Sequence, residues 1–259
     1  MTSTKSKSSK FKVVGTRPIR HDGVDKVTGK AQYSADIHLP GLLAGVVVRS
    51  PYAHAKIKSI NTEKALAHPG VAAVITGETL KEYNLHMMPT LMSDTQMVLP
   101  IDKVCYQAQE VAAVVATDRY SAADGVELVE VEYEPLPVVV DPHKATDPDA
   151  PIIRDDKEGQ NSNHIFHWEA GDKSGTDEIF KNADVTVKKD IYLPRIHVAS
   201  IETCGCVSEF DSVTGQLTVW MTTQAPHAIR TVLALVAGHV GLQEDKIRII
   251  SPDIGGGFG

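Results

Sequence analysis

The sequence predicts an α+β protein made of two successive units, and three observations carry that reading. Short apolar segments, joined by tight turns to short helical ones, run β-β-α-β in the first half and β-β-β-β-α-β in the second. Between the halves, Asp141 to Asn163 holds Pro142, Pro148, Pro151, a series of aspartates and Gly159, with little apolar periodicity. It reads as a linker, with the domain boundary in its later part. The second half closes on Ser251-Pro-Asp-Ile-Gly-Gly-Gly-Phe-Gly259, directly after a predicted strand. Bare glycine backbone there can approach a ligand closely.

Taken in order, Thr2 to Lys10 is polar and basic without an apolar stretch, so it reads as a flexible tail rather than a secretory signal. Arg20 to Gly29 is turn-rich, and an extended segment begins at Ala31. Leu42 to Arg49, with Val-Val-Val at its centre, and Ala53 to Ser59 read as strands. Asn61 to Ala67 predicts a short helix capped by Asn61 or Thr62 and stopped by Pro69-Gly70, followed by a strand over Val71 to Thr76. Tyr83 to Leu99 is weakly patterned and carries Met87, Met88, Met92 and Met97, which suits a surface or interface loop. Val111 to Thr117 is a nearly continuous apolar strand. Ser121-Ala-Ala-Asp124 resembles a capping box opening a helix to about Val129, and Glu130 to Tyr133 returns to extended structure.

Past the linker, Ile165 to Ala170 and Ala183 to Leu193 read as strands, with Asp177 to Lys181 a helical turn between them. Val207 to Phe210 and Leu217 to Thr222 form a predicted hairpin across Asp211 to Gly215. Ala228 to Val240 is the clearest helix: Ile229, Val232, Leu233, Val236 and Ala237 share one face. Pro226 suits its first turn, and Gly238 and Gly241 its end. Lys246 to Ile250 is the strand that delivers the glycines.

Composition sets limits on function. A chain of 259 residues, 42% hydrophobic and 23% charged, is ordinary for a globular protein with a sizeable core. A formal charge of −7 argues against a nucleic-acid partner, which wants a basic surface. Three cysteines make no disulfide framework and fit a reducing cytoplasm. No apolar run is long enough to span a bilayer.

The candidate chemistry is sparse. Gly255 to Gly259 lacks the spacing of a dinucleotide fingerprint and the lysine of a P-loop, so a tight turn and a ligand cradle are equally open. Gln224 stands just before Pro226-His227, where strand passes into the strong helix. Helix-start amides there favour an anion, and the glutamine amide both donates and accepts. Gln224 and the glycines end strands flanking one helix, so they can lie close together. Cys204-Gly-Cys206 is one residue short of a Cys-x-x-Cys pair and reads as packing. Glu202 reads as a solvated or ion-paired carboxylate before a pocket one. His197 and His227 are acid–base candidates by type alone, and His164-x-x-His167 supplies too few ligands for a metal.

Several segments together resemble the large subunit of the xanthine dehydrogenase and aldehyde oxidase family of molybdenum hydroxylases. They are Arg49-Ser-Pro-Tyr-Ala-His-Ala55, Gln109 to Val115, Val131-Glu-Tyr-Glu-Pro-Leu-Pro137, Ser200-Ile-Glu-Thr-Cys204, Thr223-Gln-Ala-Pro-His-Ala-Ile-Arg230 and Pro252 to Gly259. A narrower match, over Met88-Pro-Thr-Leu91, Gln107 to Glu110 and Asn163 to Asp172, resembles the carbon monoxide-oxidising branch.

The resemblance implies a tail over 1–19, an α/β hammerhead domain over 20–142, a linker over 143–163, and the N-terminal part of a molybdenum cofactor-binding domain over 164–259. It implies Gln224 beside the metal's oxo ligand. It likewise places Gly256, Gly257, Phe258 and Gly259 against molybdopterin cytosine dinucleotide, with no metal ligand in this chain. Copper, if used, would be held by a residue beyond Gly259. FAD and 2Fe-2S clusters are expected on a medium and a small partner subunit, in a dimer of heterotrimers acting on a small molecule. The implied activity is oxidation of carbon monoxide with water, in the cytoplasm or against the inner face of the membrane. Same-family hydroxylation of aldehydes, purines or aromatic heterocycles is the alternative, and a noncatalytic truncated assembly or binding module is another. The segment is expected to be part of a longer chain and inactive alone.

Overall fold

The computed structural model describes residues 11–90, 94–156 and 159–259. Most of the expected flexible tail and Met92 lie outside the described residues. The N-terminal unit holds strands β1 (Ala44–Arg49), β2 (Ala55–Asn61), β3 (Val71–Thr76), β4 (Met87–Pro89), β5 (Thr95–Met97), β6 (Lys103–Val104), β7 (Glu110–Ala116) and β8 (Glu130–Pro135). Its helices, after α1 (Gly23–Thr28), are α2 (Glu63–Leu66), α3 (Gly77–Glu82) and α4 (Arg119–Glu127). One antiparallel sheet has the order β1-β7-β3, a second β6-β2-β8, and β4 and β5 form a hairpin.

β7 is the central strand, which explains its unbroken apolar sequence: Val111, Ala112, Val114 and Ala116 are all fully buried. Val111, Ala112 and Val114 join Val48, Ala55, Ala65, Val104 and Val129 in one core cluster. Each fully buried valine contributes about 2 kcal/mol. α4 lies close on this sheet at Gly125, where a Cβ would sit 2.8 Å from both Val114 Cγ1 and Val71 Cγ2.

The C-terminal unit is smaller. β9 (Cys206–Asp211), β10 (Gln216–Met221) and β11 (Ile247–Ile250) form a sheet with β10 in the middle. β10 is antiparallel to β9 and parallel to β11, and α6 (Pro226–Ala237) makes the crossover between β10 and β11. That topology puts the ends of β10 and β11, carrying Gln224 and the glycines, on the same edge. α6 packs on β11 and reaches β4 of the first unit, and His239 Nε2 bonds the Tyr83 carbonyl at 3.1 Å.

Several expectations shift. Arg20 to Gly29 is helical over α1, ended by Gly29 at φ 73°. The Ala31 to Asp36 segment closes into a 3₁₀ turn at Ser34–Asp36. α3 was not anticipated; Thr76 caps it by accepting from Thr79 N–H. The Tyr83–Leu99 loop contains the β4–β5 hairpin. α4 starts at Arg119, because Asp118 rather than Ser121 accepts the first-turn amides of Tyr120 and Ser121. The helical turn near Asp177 is α5 (Lys173–Asn182), capped by Asp172.

Two predicted strands, 165–170 and 183–193, pair with nothing among the described residues. Val185, Val187, Ile191 and Leu193 lie exposed, so their alternation marks a face that no strand of this segment covers. The linker is irregular but fastened. Arg154 reaches Asp94 at 3.3 Å, Asp156 at 2.6 Å and the Thr95 carbonyl at 2.7 Å, and Lys103 pairs with Asp155.

Candidate functional site

β10 runs out at Met221, and Thr222 to Ala225 form the bridge to α6. Pro226 is at the helix start, where its missing N–H leaves no bond unmade, and Ala225 offers no side-chain cap. The amide dipoles of that first turn therefore point outward beside Gln224. β11 delivers Ser251 to the same edge, where its hydroxyl donates to the Thr223 carbonyl at 2.8 Å. Gln224 and the glycine loop, predicted to lie together, do so: Gly259 N–H donates to Gln224 Oε1 at 3.0 Å.

An open cavity of about 320 Å3 lies here, lined by Cys204, Thr222, Gln224, Ile254, Gly256 and Gly257 among others. Of these lining residues Gln224, Gly257 and Gly259 are exposed, as is Phe258 between the two glycines.

Close approach explains the run of glycines. A Cβ at Gly257 would come within 2.5 Å of Gln224 Nε2 and 2.7 Å of Oε1. One at Gly256 would meet Phe258 Cε2 at 2.7 Å and Ser200 Oγ at 3.0 Å. At Gly255 it would collide with Glu202 Cβ. Phe258 itself has φ 55° and Gly256 φ 143°. A phenylalanine in the left-handed region costs about 1 kcal/mol or more, which places backbone strain in this loop.

The amides divide into two sets. Gly255 N–H donates to Glu202 Oε2 and Gly259 N–H to Gln224. Gly256, Gly257 and Phe258 N–H have no acceptor among the described residues. Three successive free donors beside a helix N-terminus are a setting for an electron-rich group.

The loop is also held from the N-terminal side. Asp253 accepts from Gln32 N–H at 3.1 Å, returns its own N–H to the Gln32 carbonyl at 2.9 Å, and pairs with Lys26 of α1. The Lys26 ammonium holds the Asp253 carboxyl below its ordinary value, and Asp253 in turn raises Lys26. Next to them the Arg20 guanidinium brings Asp22 down to about 2.

Other candidates do not converge here. His197 and His227 are exposed, as are His164 and His167; His167 faces Glu169 at 3.1 Å. Cys204 lines the cavity and Cys206 opens β9, and both thiols are free and exposed. Among the described residues no cluster of three or more His, Cys, Asp or Glu could hold a metal ion. The Arg49-to-Ala55 segment is architectural: Arg49 bonds the Ala108 carbonyl and Glu110, and buried His54 donates from Nδ1 to the Pro137 carbonyl at 2.6 Å. Glu202, read as a solvated carboxylate, is instead bound to the glycine loop. Only its place in Ser200–Cys204 hinted at that.

Comparison with known proteins bears on what this edge is for. Residues 28–137 match the aldehyde oxidase and xanthine dehydrogenase a/b hammerhead domain, and residues 156–259 the molybdopterin cofactor-binding domain. The carbon monoxide dehydrogenase large chain of Afipia carboxidovorans is 52% identical over 98% of this chain and 32% of its own length. The nicotine 6-hydroxylase large subunit of Paenarthrobacter nicotinovorans is 35% identical over 95% of this chain and 30% of its own. The crystal structure of a Cu,Mo-CO dehydrogenase in its carbon monoxide-reduced state superposes with a TM-score of 0.83 at 53% identity. That superposition covers 95% of this chain and 32% of the other. The chain thus spans about a third of the length of these relatives. With both of its units matched in sequence and one relative's fold reproduced across them, the chain carries the hammerhead and molybdopterin cofactor-binding domains of the aldehyde oxidase and xanthine dehydrogenase family, to which it belongs.

Proposed function

We propose that this chain is the N-terminal part of the large subunit of a molybdenum-dependent oxidoreductase that converts carbon monoxide and water to carbon dioxide. The observation that carries the cofactor reading is the row of amides at Gly256, Gly257 and Phe258, beside Gln224, that have no acceptor among the described residues. The residues fit such a group: an open concavity, backbone donors in sequence and a neutral amide, with no carboxylate in the row to repel electron-rich ligand atoms. The bound molybdenum centre would supply the two-electron oxidation, taking oxygen from water and releasing two protons.

In this reading the chain's own residues bind and orient. Gly256, Gly257 and Phe258 donate to the cofactor, proposed to be the molybdopterin cytosine dinucleotide form. Gln224, tied by its Oε1 to Gly259, would keep its NH2 group free to donate to the bound cofactor. Copper would be carried by residues outside this segment, and Cys204 and Cys206 are not assigned to it. Electrons would pass to iron–sulfur clusters and FAD on a small and a medium subunit, in a dimer of heterotrimers. Three free cysteines fit a reducing cytoplasm. Among the described residues no helix is long and apolar enough to cross a membrane. The domain division is proposed as 20–142, 143–163 and 164–259.

The choice of carbon monoxide rests on the 52% identity to carbon monoxide dehydrogenase, against 35% to a nicotine hydroxylase. An aromatic heterocycle as substrate is the second reading, favoured by that second relative. The natural complex, purified from its source, tests both. Molybdenum and cytosine nucleotide in stoichiometric amount, with carbon monoxide-dependent dye reduction, are expected. Turnover of nicotine-like heterocycles without carbon monoxide oxidation would move the assignment to the second reading, and an active complex free of molybdenum would end both.

A further inference from the structure

Glu202 links three pieces of the fold that meet at the glycine loop. It lies in the irregular stretch between α5 and β9, half-buried, and its two oxygens point to different elements. Oε2 accepts Gly255 N–H at 2.6 Å, and Oε1 accepts the Thr222 hydroxyl at 2.9 Å. Thr222 has one hydroxyl hydrogen, already given to Glu202. The 3.1 Å contact between Ser34 and Thr222 therefore has Ser34 as donor. A chain of hydrogen bonds thus runs from the 3₁₀ turn near the N-terminus, through the end of β10, to the first glycine. Hydrogen bonds to a carboxylate are roughly twice as strong as neutral ones.

Gly255 makes this possible, because any Cβ there would strike Glu202 Cβ. Its N–H is the only donor of the Gly255–Phe258 row that finds an acceptor among the described residues. Taking that one donor fixes the Ile254–Gly255 peptide plane, the point from which the three following amides take their course. Resting on the reading of this loop as the cofactor edge, we propose that Glu202 is a positioning residue. Its carboxylate holds Gly255 so that Gly256, Gly257 and Phe258 present their amides to the cofactor.

The test uses the natural large subunit in its assembled complex, with two readouts: amide hydrogen exchange over 252–259, and molybdenum per large subunit. Glu202→Ala removes both acceptors, and Glu202→Asp keeps the charge but falls one methylene short of Gly255. Glu202→Gln keeps the reach and an acceptor oxygen without the charge. Exchange in the loop is expected to rise about tenfold or more in Glu202→Ala and Glu202→Asp, as loss of a charge-assisted bond implies. Molybdenum content should fall several-fold in both, and Glu202→Gln, which still reaches Gly255 with one neutral acceptor oxygen, should lie between wild type and Glu202→Ala in both readouts. Unchanged loop exchange in Glu202→Ala overturns the positioning role. Raised exchange with full molybdenum content shows instead that the loop is not the cofactor edge, and overturns the reading beneath it. Should Glu202→Ala fail to assemble, Thr222→Val, which removes only the hydroxyl donor, decides the matter. Faster loop exchange in that variant supports the role, and wild-type exchange overturns it.

Discussion

Replacing Gly255 with alanine puts a methyl group where the fold leaves no room. The backbone there is outside the left-handed region, so alanine can adopt it and the penalty is one of space alone. The new Cβ would collide with Glu202 Cβ and lie 3.2 Å from Glu202 N and Oε2. A Cβ cannot rotate away, so either the 200–204 segment or the glycine loop must move. Overpacking of this kind costs about 1–3 kcal/mol. Movement of the loop also breaks the Gly255–Glu202 bond, worth about 1.5–3 kcal/mol as a bond to a charged group. A local destabilisation of about 3 kcal/mol follows, or roughly a hundredfold faster opening at about 1.4 kcal/mol per decade. Gly257→Ala is the control. Its Cβ meets the far end of Gln224, which can swing aside for the loss of one neutral bond of about 1 kcal/mol. Hydrogen exchange over 252–259 in the natural large subunit reads both. Equal effects, or a larger one at Gly257, would refute the packing account of these glycines.

Other perturbations test separate parts of the structure. Gln224→Ala should lower turnover by tenfold or more while shifting global stability by only about 1 kcal/mol, because one exposed hydrogen bond to Gly259 is lost; a collapse of the melting temperature would make Gln224 structural. Asp253 has a depressed folded-state pKa, so its pairing with Lys26 stabilises the folded form above the ordinary value of 3.8 and is lost as pH falls through the lower folded value. Acid-induced release of residues 20–36, followed by proteolysis, should therefore weaken its pH dependence in Asp253→Asn. Val114→Ala, at a fully buried position in the central strand, should cost about 2–3 kcal/mol in denaturant unfolding, from two lost methyl groups and the cavity left behind.

The parts of the fold legible from sequence were those whose signals are local. β7 and α6 are marked by composition and period, the β9–β10 hairpin by its turn, and the meeting of Gln224 with the glycines by their places at strand ends. What sequence missed depends on partners distant in the chain. Residues 183–193 alternate as a strand does, yet nothing among the described residues pairs with them; alternation shows which face is apolar, not what covers it. The cap of α4 fell to Asp118 because its carboxylate takes two amides at once, while Ser121 lies within the first turn. Glu202 carried no signal beyond its place in the Ser200–Cys204 segment. Its role rests on Gly255 and Thr222, which are brought to it only by the β10–α6–β11 crossover. The glycines also proved tighter than their lack of side chains suggests, since Glu202, Ser200 and Gln224 occupy much of the space they leave.

The central claim is that Gln224 and the amides of Gly256, Gly257 and Phe258 form one wall of the molybdenum cofactor site. A crystal structure of the natural complex, with molybdenum located by its anomalous scattering, tests it most directly. The account predicts the cofactor within hydrogen-bonding distance of those three amides, and an oxygen on the metal within reach of the Gln224 NH2 group. Molybdenum and its cofactor bound away from residues 224 and 255–259, with the three amides facing solvent, would contradict it.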